Sequence, residues 1–297
     1  MTVIGIFGPT ASGKSGVAEA LAERLAAELV SADAMQVYRG LPILTNQARH
    51  PTRLVGIWPL DHEASVGEYA PLAHAAIDEI LGSGRTPIVV GGTGLYLRAA
   101  IAELSLPPKA APGTRERWSS FYDERGARAA HAHLAELDPE AAAVVHENDR
   151  RRVVRALELA ETGASLAPAH DRLWAVETRH PTVLVGLDVP KDVLERRIDE
   201  RTRAMFDAGV ADEVRTALAG PVSTTARKTL GLDEVASLPR DEAIEAIAAR
   251  TRQYAAYQRK WMRRVPGLVM VEADRPTGEI ADDIVALAGT RERLPPR

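Results

Sequence analysis

The chain has 297 residues and a formal net charge of −4, and 45% of its residues are hydrophobic while 26% are charged. This length and composition are typical of a globular protein that has one large core with an appendage, or two domains, and the net charge provides no global attraction to nucleic acid. The sequence has no cysteine, which excludes disulfide bonds and thiolate zinc sites, and no apolar run that approaches the roughly 20 residues needed to span a bilayer.

The N-terminal third alternates between strand and helix patterns. It begins with the apolar run VIGIF rather than with the charged-then-apolar layout of a secretion signal, so we expect a cytoplasmic protein with no membrane partner. Strands that alternate with helices are typical of a parallel sheet covered on both faces. The predicted elements are a strand over Val3–Phe7, a helix over Gly16–Leu29, a strand within 28–35 that ends at Asp33, a helix over Glu68–Leu81, a strand over Ile88–Val90, and a helix after the turn at Gly91-Gly92.

The middle of the sequence has a different character. The proline-rich segment LSLPPKAAPG begins at Leu104, and residues 114–161 have a helical pattern rich in Ala, Arg and Glu. We therefore predict an α/β fold: a P-loop-containing, doubly wound parallel sheet in residues 1–104 and 181–297, with a helical insertion domain in residues 105–180. The later predicted elements are a strand over Thr182–Val189, a long helical region from Lys191, a helix over 240–264 and a final strand over 267–273.

The segment GPTASGKS, Gly8–Ser15, fits the phosphate-binding pattern G-x-x-x-x-G-K-[ST] and lies between the first predicted strand and helix. Its glycines let backbone N–H groups converge on phosphate oxygens, and the start of the helix adds the positive end of its dipole. Lys14 supplies a positive charge, and the Ser15 hydroxyl is a candidate Mg²⁺ ligand. The strand–loop–helix context favours a phosphate site over a glycine-rich turn without a ligand.

Asp33 and Thr93 follow the ends of the second and third predicted strands. Ligands of an open parallel sheet lie beyond the carboxyl ends of its strands, so both side chains are expected to face the crevice above the phosphate loop. A carboxylate there is a candidate metal ligand, substrate-orienting acceptor or general base. The alternatives are an N-cap or turn role for Asp33 and an N-cap role for Thr93.

The sequence lacks a clear apparatus for nucleotide hydrolysis. An acidic residue that organises Mg²⁺ usually follows a hydrophobic strand of such proteins. Here the third predicted strand ends in Gly91-Gly92, and Asp188 is a distant substitute. This favours a loop that holds a diphosphate as a leaving group over one that holds a nucleotide triphosphate.

Positive charges cluster in three segments despite the negative net charge. Arginines and aromatic side chains together suit RNA recognition, because they bind phosphates and stack on bases. The alternative is that each cluster is a solvated helix face. The clusters are Arg115-Glu116-Arg117 with Arg125 and Arg128, the run Arg150–Arg152 with Arg155, and RTRQYAAYQRKWMRR over Arg250–Arg264, which includes Tyr254, Tyr257 and Trp261.

Six sequence blocks, in this order, resemble the tRNA dimethylallyltransferase (isopentenyltransferase) family. They are GPTASGKS, SADAMQVYRG, GGTGLYLRA, NDRRRVVRALE, RTRAMFDAGVADEV and TRQYAAYQRKWMRR. The resemblance covers nearly the whole chain, including the helical insertion. The combination of blocks is far more specific than the phosphate loop alone.

The resemblance implies transfer of a five-carbon prenyl group from dimethylallyl diphosphate to N6 of an adenine beside the tRNA anticodon, by a monomer that uses Mg²⁺. The two catalytic residues would be Asp33, which accepts the amine proton, and Thr93, which hydrogen-bonds near the reacting groups. The diphosphate would be bound by Gly8, Thr10, Ala11, Ser12, Gly13, Lys14, Ser15 and Arg201, with Ser15 on Mg²⁺. The tRNA would be contacted by Asp33, Ala34, Met35, Gln36, Thr93, Arg115, Arg151, Arg152, Arg155 and part of 250–264, with the insertion on the anticodon stem-loop.

Several positions depart from the family's pattern, all where the acceptor is expected. Three alternatives therefore stay open: the same transfer to a free adenine nucleotide, a small-molecule phosphotransferase that uses ATP, and a nucleotide-dependent RNA-binding module without catalysis, against which Asp33 and Thr93 argue. The departures are Gln47 for a lysine, Thr52 and Arg53 for two histidines, Gly56 for an acid, Leu232 for a tyrosine, and Ala256 and Tyr257 for a lysine and an arginine.

Overall fold

Six parallel strands form the sheet of this computed structural model, which describes residues 1–47, 50–104, 111, 113–167, 173 and 175–292. The strands lie in the order β3-β2-β4-β1-β5-β6 and every neighbouring pair is parallel. The connection from β1 leads to β2 on one side of it, while the chain passes from β4 to β5 on its other side, and such a change of direction creates a ligand crevice at the carboxyl ends of the central strands. The strands are β1 (Val3–Phe7), β2 (Ala27–Ser31), β3 (Thr52–Arg53), β4 (Thr86–Gly91), β5 (Thr182–Asp188) and β6 (Leu268–Glu272).

Twelve α-helices accompany the sheet in the described part of the chain, where none combines the length and apolarity needed to cross a membrane. All five residues of β1 are buried, as expected for a strand with helices on both faces. The helices are α1 (Lys14–Arg24), α2 (Val66–Gly82), α3 (Gly94–Ile101), α4 (Thr114–Arg125), α5 (Ala127–Leu137), α6 (Pro139–Val144), α7 (Arg150–Ala160), α8 (Lys191–Asp207), α9 (Val210–Leu218), α10 (Leu232–Ser237), α11 (Arg240–Met262) and α12 (Thr277–Glu292).

The chain divides into two compact units, Met1–Glu103 with Leu173–Arg297, and Leu104–Arg172. The larger unit contains the sheet. The smaller unit contains helices α4 to α7, packed around a core of their own that includes Trp118, Leu134 and Leu157. It therefore has the helical character that the sequence predicts for the insertion.

The C-terminal boundary predicted for the insertion, residue 180, is eight residues too far along the chain. The fully buried Arg98 of α3 attaches the described residues Leu173, Ala175 and Glu177 to the larger unit. Its guanidinium donates to the carbonyl oxygens of Leu173 (3.1 Å) and Ala175 (2.9 Å). A proline-poor stretch with no strand or helix pattern gave no sign of this attachment.

Several element boundaries also differ from the prediction. Helix α1 ends at Arg24 rather than Leu29, since Leu25 is extended (φ −120°) and the following residues pair with β4. Strand β2 ends at Ser31, so Asp33 lies two residues beyond it. The long helical region from Lys191 stops at Asp207, before a glycine with φ 93°. Strand β3 and helix α12 were not predicted.

Candidate active site

The phosphate loop forms the connection from β1 to α1, at the switch point of the sheet. Ala11 and Gly13 both adopt positive φ values, 63° and 87°, and helix α1 starts at Lys14. The N-cap residue of this helix, Gly13, has no side chain to satisfy the first backbone N–H groups, which suits them to bind an anion. The Ser12 hydroxyl is buried without a hydrogen-bond partner among the described residues, which suits a group that waits for a phosphate oxygen.

Lys14 is held over this loop. Its Nζ donates to the carbonyl oxygen of Pro9 at 2.7 Å. Burial lowers the pKa of Lys14 to about 8, Asp33 acts to raise it, and the neighbouring Arg201 lowers it further. Lys14, Asp33 and Arg201 therefore lie within electrostatic reach of one another, although they are far apart in the sequence.

Arg201 lies on α8 and adds a second cation to the loop. Its Nε is buried and has no hydrogen-bond partner in the described part of the chain. Burial lowers its pKa, while Asp33 acts in the opposite direction. Two desolvated cations that both interact with one carboxylate leave the site with net positive charge, which favours an anionic ligand.

Asp33 is oriented by the turn that follows β2. Its Oδ1 accepts the backbone N–H of Met35 at 2.9 Å and that of Gln36 at 3.4 Å. The turn role considered from the sequence is therefore present. It fixes the direction of the carboxylate, and it occupies only one of the two oxygens.

Thr93 directly precedes α3, and its side chain makes no cap hydrogen bond to this helix. Thr93 therefore occupies the N-cap position of α3, but its side chain does not perform the capping role. Its hydroxyl instead accepts the backbone N–H of Ala34 at 3.4 Å, which joins the ends of β2 and β4. The structure thus brings Thr93 beside Asp33, as the strand-end argument predicts.

The glycines around Thr93 allow helix α11 to approach. A Cβ on Gly92 would lie 2.3 Å from Gln258 Nε2, and a Cβ on Gly94 would lie 2.2 Å from the Trp261 ring. Either contact is too short for a real side chain. The glycines of the GGTG block are therefore required because α11 packs closely over the end of β4.

Sequence reasoning assigned no role to Gln258, which links the phosphate loop to β4. This side chain is 3% exposed, its Oε1 accepts the backbone N–H of Thr10 at 2.7 Å, and its Nε2 donates to Gly92 O at 2.8 Å. The Thr10 N–H is thus occupied, and only the hydroxyl of that residue remains for the predicted diphosphate contact. The signal available in the sequence was the block TRQYAAYQRKWMRR, but nothing in it singles out one glutamine.

Tyr254, on the same helix, also reaches the site. Burial of its hydroxyl, together with the Asp33 charge, raises its pKa to about 12, while hydrogen bonding with Thr93 and Gln258 acts to lower it. The hydroxyl therefore stays protonated at neutral pH and is a polar neighbour of both predicted catalytic groups.

The segment 34–36, predicted to contact tRNA, is held by structural bonds. The Gln36 amide oxygen accepts from Ser31 Oγ at 2.9 Å, and its nitrogen donates to the carbonyls of Thr45 and Asn46 at 3.2 and 3.0 Å. Met35 Sδ accepts from Thr229 Oγ1 at 3.3 Å. These bonds shape the loop, and contact with RNA by Ala34, Met35 and Gln36 stays a prediction.

The arginines predicted to contact tRNA in the smaller unit fall into two sets. Arg115 and Arg155 both pair with Glu158, which is fully buried, at 2.7 and 2.8 Å. Removing either cation would leave a buried carboxylate with less compensation, so both have a structural role. Arg151 and Arg152 are exposed on the first turn of α7.

Most residues that depart from the family pattern on the acceptor side make structural contacts within the larger unit, either hydrogen bonds, ion pairs or apolar packing. Leu232 is fully buried in an apolar cluster with Leu41 and Val210. Ala256 and Tyr257 differ, because both are exposed on α11. The polar contacts are Gln47 Nε2 to Tyr38 O (2.9 Å), Thr52 Oγ1 to His50 O (2.9 Å), and Arg53 to the carboxylates of Glu28 (2.8 Å) and Glu79 (2.6 Å).

A glycine-rich loop between the first strand of a parallel sheet and its helix, with cations gathered above it, defines a phosphate-binding P-loop α/β protein. The model of the IPP transferase family matches residues 36–265. The chain therefore belongs to this family, which confirms the resemblance drawn from the six sequence blocks.

Individual relatives agree. The tRNA dimethylallyltransferase of Corynebacterium jeikeium is 39% identical over 287 residues, covering 92% of each chain. That of Streptomyces coelicolor is 41% identical over 281 residues, covering 89% of this chain and 88% of the relative. The crystal structure of the full-length tRNA isopentenylpyrophosphate transferase from Bacillus halodurans is similar with a TM-score of 0.71 and 31% identity, over 98% of this chain and 97% of that one.

Proposed function

We propose that this protein transfers a dimethylallyl group from dimethylallyl diphosphate to N6 of an adenine adjacent to the tRNA anticodon. The relatives' names support the reaction and its RNA acceptor. The observation that carries the proposal is the meeting of Lys14, Arg201, Asp33 and Thr93 at one end of the sheet. In this proposal, the two cations would bind a diphosphate beside a carboxylate that is suited to take a proton.

The donor side acts on the leaving group. The bond between the allylic carbon and the diphosphate oxygen breaks, its electron pair leaves with the diphosphate, and positive charge spreads over the allyl unit. Backbone N–H groups at the start of α1, with Lys14 and Arg201, stabilise the charge that grows on the departing oxygens. Because these donors are already in place, little reorganisation is needed during the reaction.

Mg²⁺ fits this arrangement as a partner of the substrate rather than as an ion held by the protein alone. No cluster of three or more His, Cys, Asp or Glu side chains suited to a metal occurs among the described residues. Mg²⁺ commonly binds one or two protein oxygens, substrate phosphates and water. The Ser15 hydroxyl would hold it, and it would supply further charge neutralisation for the diphosphate.

The acceptor side activates the adenine. The N6 lone pair forms the new bond to the allylic carbon, and the proton that N6 loses passes to the Asp33 carboxylate. The Met35 and Gln36 N–H groups orient Asp33 for this step. Thr93 lies beside it and hydrogen-bonds near the reacting groups. The adenine has to leave its stack to reach these residues, which costs a few kcal/mol and less in a loop.

One copy of the chain carries all of these groups, so we propose that it acts as a monomer. The proposed tRNA acceptor also favours a cytoplasmic protein. On the RNA side, the exposed arginines of α7 are the proposed phosphate contacts.

The direct test supplies labelled dimethylallyl diphosphate with unmodified tRNA, with AMP, or with neither. Label in tRNA at an adenine beside the anticodon is the expected result. Label in AMP alone would replace the acceptor by a free nucleotide. Consumption of ATP in a parallel assay, with no use of the isoprenoid donor, would overturn the proposal in favour of a phosphotransferase.

The affinity for the donor should depend on pH through Lys14. A bound diphosphate favours charged Lys14, whose pKa in the free protein is about 8. Affinity should therefore be full below that pH and fall above it, by up to about tenfold per pH unit. Lys14→Arg stays charged and should bind without this decline. Calorimetric titration with a non-reactive allylic diphosphate analogue measures both proteins; identical profiles would show that Lys14 does not contact the diphosphate.

RNA affinity should fall with salt, and Arg151 and Arg152 should contribute to the slope. Each phosphate contact contributes about 0.7 to 0.9 to the slope of log affinity against log salt. The double variant Arg151→Ala/Arg152→Ala should lower this slope by about 1 to 2, as measured by filter binding of an anticodon stem-loop RNA. Arg196→Ala, an exposed arginine on α8 paired only at 3.9 Å with Glu200, is the control. An unchanged slope would show that α7 does not meet the phosphates.

A further inference from the structure

Helix α11 carries two exposed tyrosines beside the candidate active site. Tyr254 is 37% exposed and Tyr257 is 55% exposed. Their ring centroids are 6.5 Å apart and their planes differ by 23°, so the rings are stacked. Large apolar side chains that are exposed singly are ordinary, whereas aromatic side chains with a polar end, gathered together, are typical of binding surfaces.

This pair belongs to a row of three aromatic side chains on α11, and both ends of the row lie against residues 93–94. Residues 254, 257 and 261 are spaced by three and four positions, which places them on one face of a helix. At one end Trp261 packs over Gly94, directly after Thr93. Tyr254 interacts with Thr93 itself. Tyr257 lies between these positions on the helix and is the most exposed of the three.

The surroundings of the pair are basic. Lys260 and Arg263 are exposed in the next turn, and Arg259 reaches the Asp188 carboxylate at 3.3 Å. Proteins bind single-stranded nucleic acid by combining aromatic faces for bases with cations for the backbone. An isoprenoid chain or an apolar protein face would gain nothing from these cations, so charge selects a nucleic acid as the occupant.

We propose that Tyr254 and Tyr257 form a stacking surface for a base of the acceptor RNA next to the target adenine. The identity of the acceptor rests on the proposed function. Tyr257 offers its open ring face to the base, and Tyr254 supports that ring from the side of Thr93. A base held there fixes the RNA strand while the adenine is presented to Asp33. Any base has a face that stacks, so the surface aligns the strand with little sequence preference.

The test compares Tyr257→Ala, Tyr257→Phe and the control Gln253→Ala, an exposed residue of the same helix. The substrate is an anticodon stem-loop RNA, either intact or with an abasic nucleotide on one side of the target adenine. Tyr257→Ala should raise KM for the intact RNA by about 5- to 150-fold, the range for a lost base–aromatic stack. The kcat value and the KM for dimethylallyl diphosphate should not change, and Tyr257→Phe and Gln253→Ala should match the wild type.

The abasic RNAs identify the stacked partner. One of them should raise the KM of the wild-type protein as much as Tyr257→Ala does, and should add little further loss in that variant. A wild-type KM in Tyr257→Ala would overturn the proposal, and so would an equal loss in Tyr257→Phe. A rise in the KM for the isoprenoid donor instead would assign the surface to that substrate and also overturn it.

Equilibrium binding separates this proposal from the proposed function. Stem-loops that carry fluorescent 2-aminopurine beside the target position should be quenched by the wild-type protein and less so by Tyr257→Ala. Quenching without any label transfer to RNA would support the stacking surface and overturn the transfer reaction. Label transfer with equal quenching in both proteins would support the reaction and overturn the stacking surface.

Discussion

Asp33→Asn should lower the single-turnover rate of prenyl transfer to tRNA by about 10²- to 10⁴-fold, equivalent to roughly 3–5 kcal/mol of barrier. Asparagine has nearly the same shape, and its Oδ1 still accepts the N–H groups of Met35 and Gln36 that shape the turn. It cannot take a proton from the adenine N6. The measurement uses enzyme in excess of labelled donor with saturating tRNA, so that product release does not mask the chemical step.

Donor binding should survive this substitution, because the Asp33 charge opposes an incoming diphosphate. The same charge raises the pKa of Lys14. Its removal should therefore move the pH at which donor affinity declines to a lower value than about 8 in the wild type. This shift distinguishes removal of the Asp33 charge near Lys14 from a general loss of structure.

Asp188→Asn is the matched control. This carboxylate also lies at the carboxyl end of a strand, β5, but it pairs with Arg259 at 3.3 Å. The Asp188→Asn substitution should leave the single-turnover rate close to the wild-type value. An unchanged rate in Asp33→Asn would show that Asp33 is not the base, and a large loss in Asp188→Asn would return that residue to consideration as an organiser of Mg²⁺.

The parts of the site that were predictable from sequence are those set by local rules. The phosphate loop follows from residue spacing, since glycines and a lysine at those positions have one common use. Asp33 and Thr93 follow from topology, because the carboxyl ends of parallel strands lie at one edge. Each prediction needs only a short segment and its place in the sheet.

The parts that were missed depend on contacts between distant segments. Gln258 binds Thr10 across 248 positions of sequence, and no pattern within α11 marks it. The pairing of Arg115 with Glu158 likewise depends on packing of α4 against α7, whereas Arg155 pairs with Glu158 within α7. Two arginines predicted from the sequence to contact RNA therefore belong to an internal ion-pair network. Arg98 shows the same limit, since only the folded chain reveals that it binds the carbonyl oxygens of Leu173, Ala175 and Glu177.

Arg201→Ala should reduce both donor affinity and the rate of transfer, the rate by about 10²- to 10³-fold. The guanidinium has a buried Nε without a partner in the described part of the chain, so this N–H is available to a ligand. The substitution removes one of two cations that stabilise the departing diphosphate. Arg201→Lys keeps a charge but loses the planar fork, and should recover only part of the rate. Single-turnover kinetics and calorimetry of a donor analogue measure the two effects separately.

The electrostatic coupling within the site gives this prediction a second readout. Arg201 lowers the pKa of Lys14, so its removal should raise that pKa and extend donor binding to higher pH, opposite in direction to Asp33→Asn. Arg203→Ala removes an exposed cation from the same helix, two residues along, and should change neither the rate nor the pH profile. Opposite shifts in the two site variants would place Lys14, Asp33 and Arg201 around one bound diphosphate. Equal rates and profiles for Arg201→Ala and the wild type would exclude Arg201 from that group.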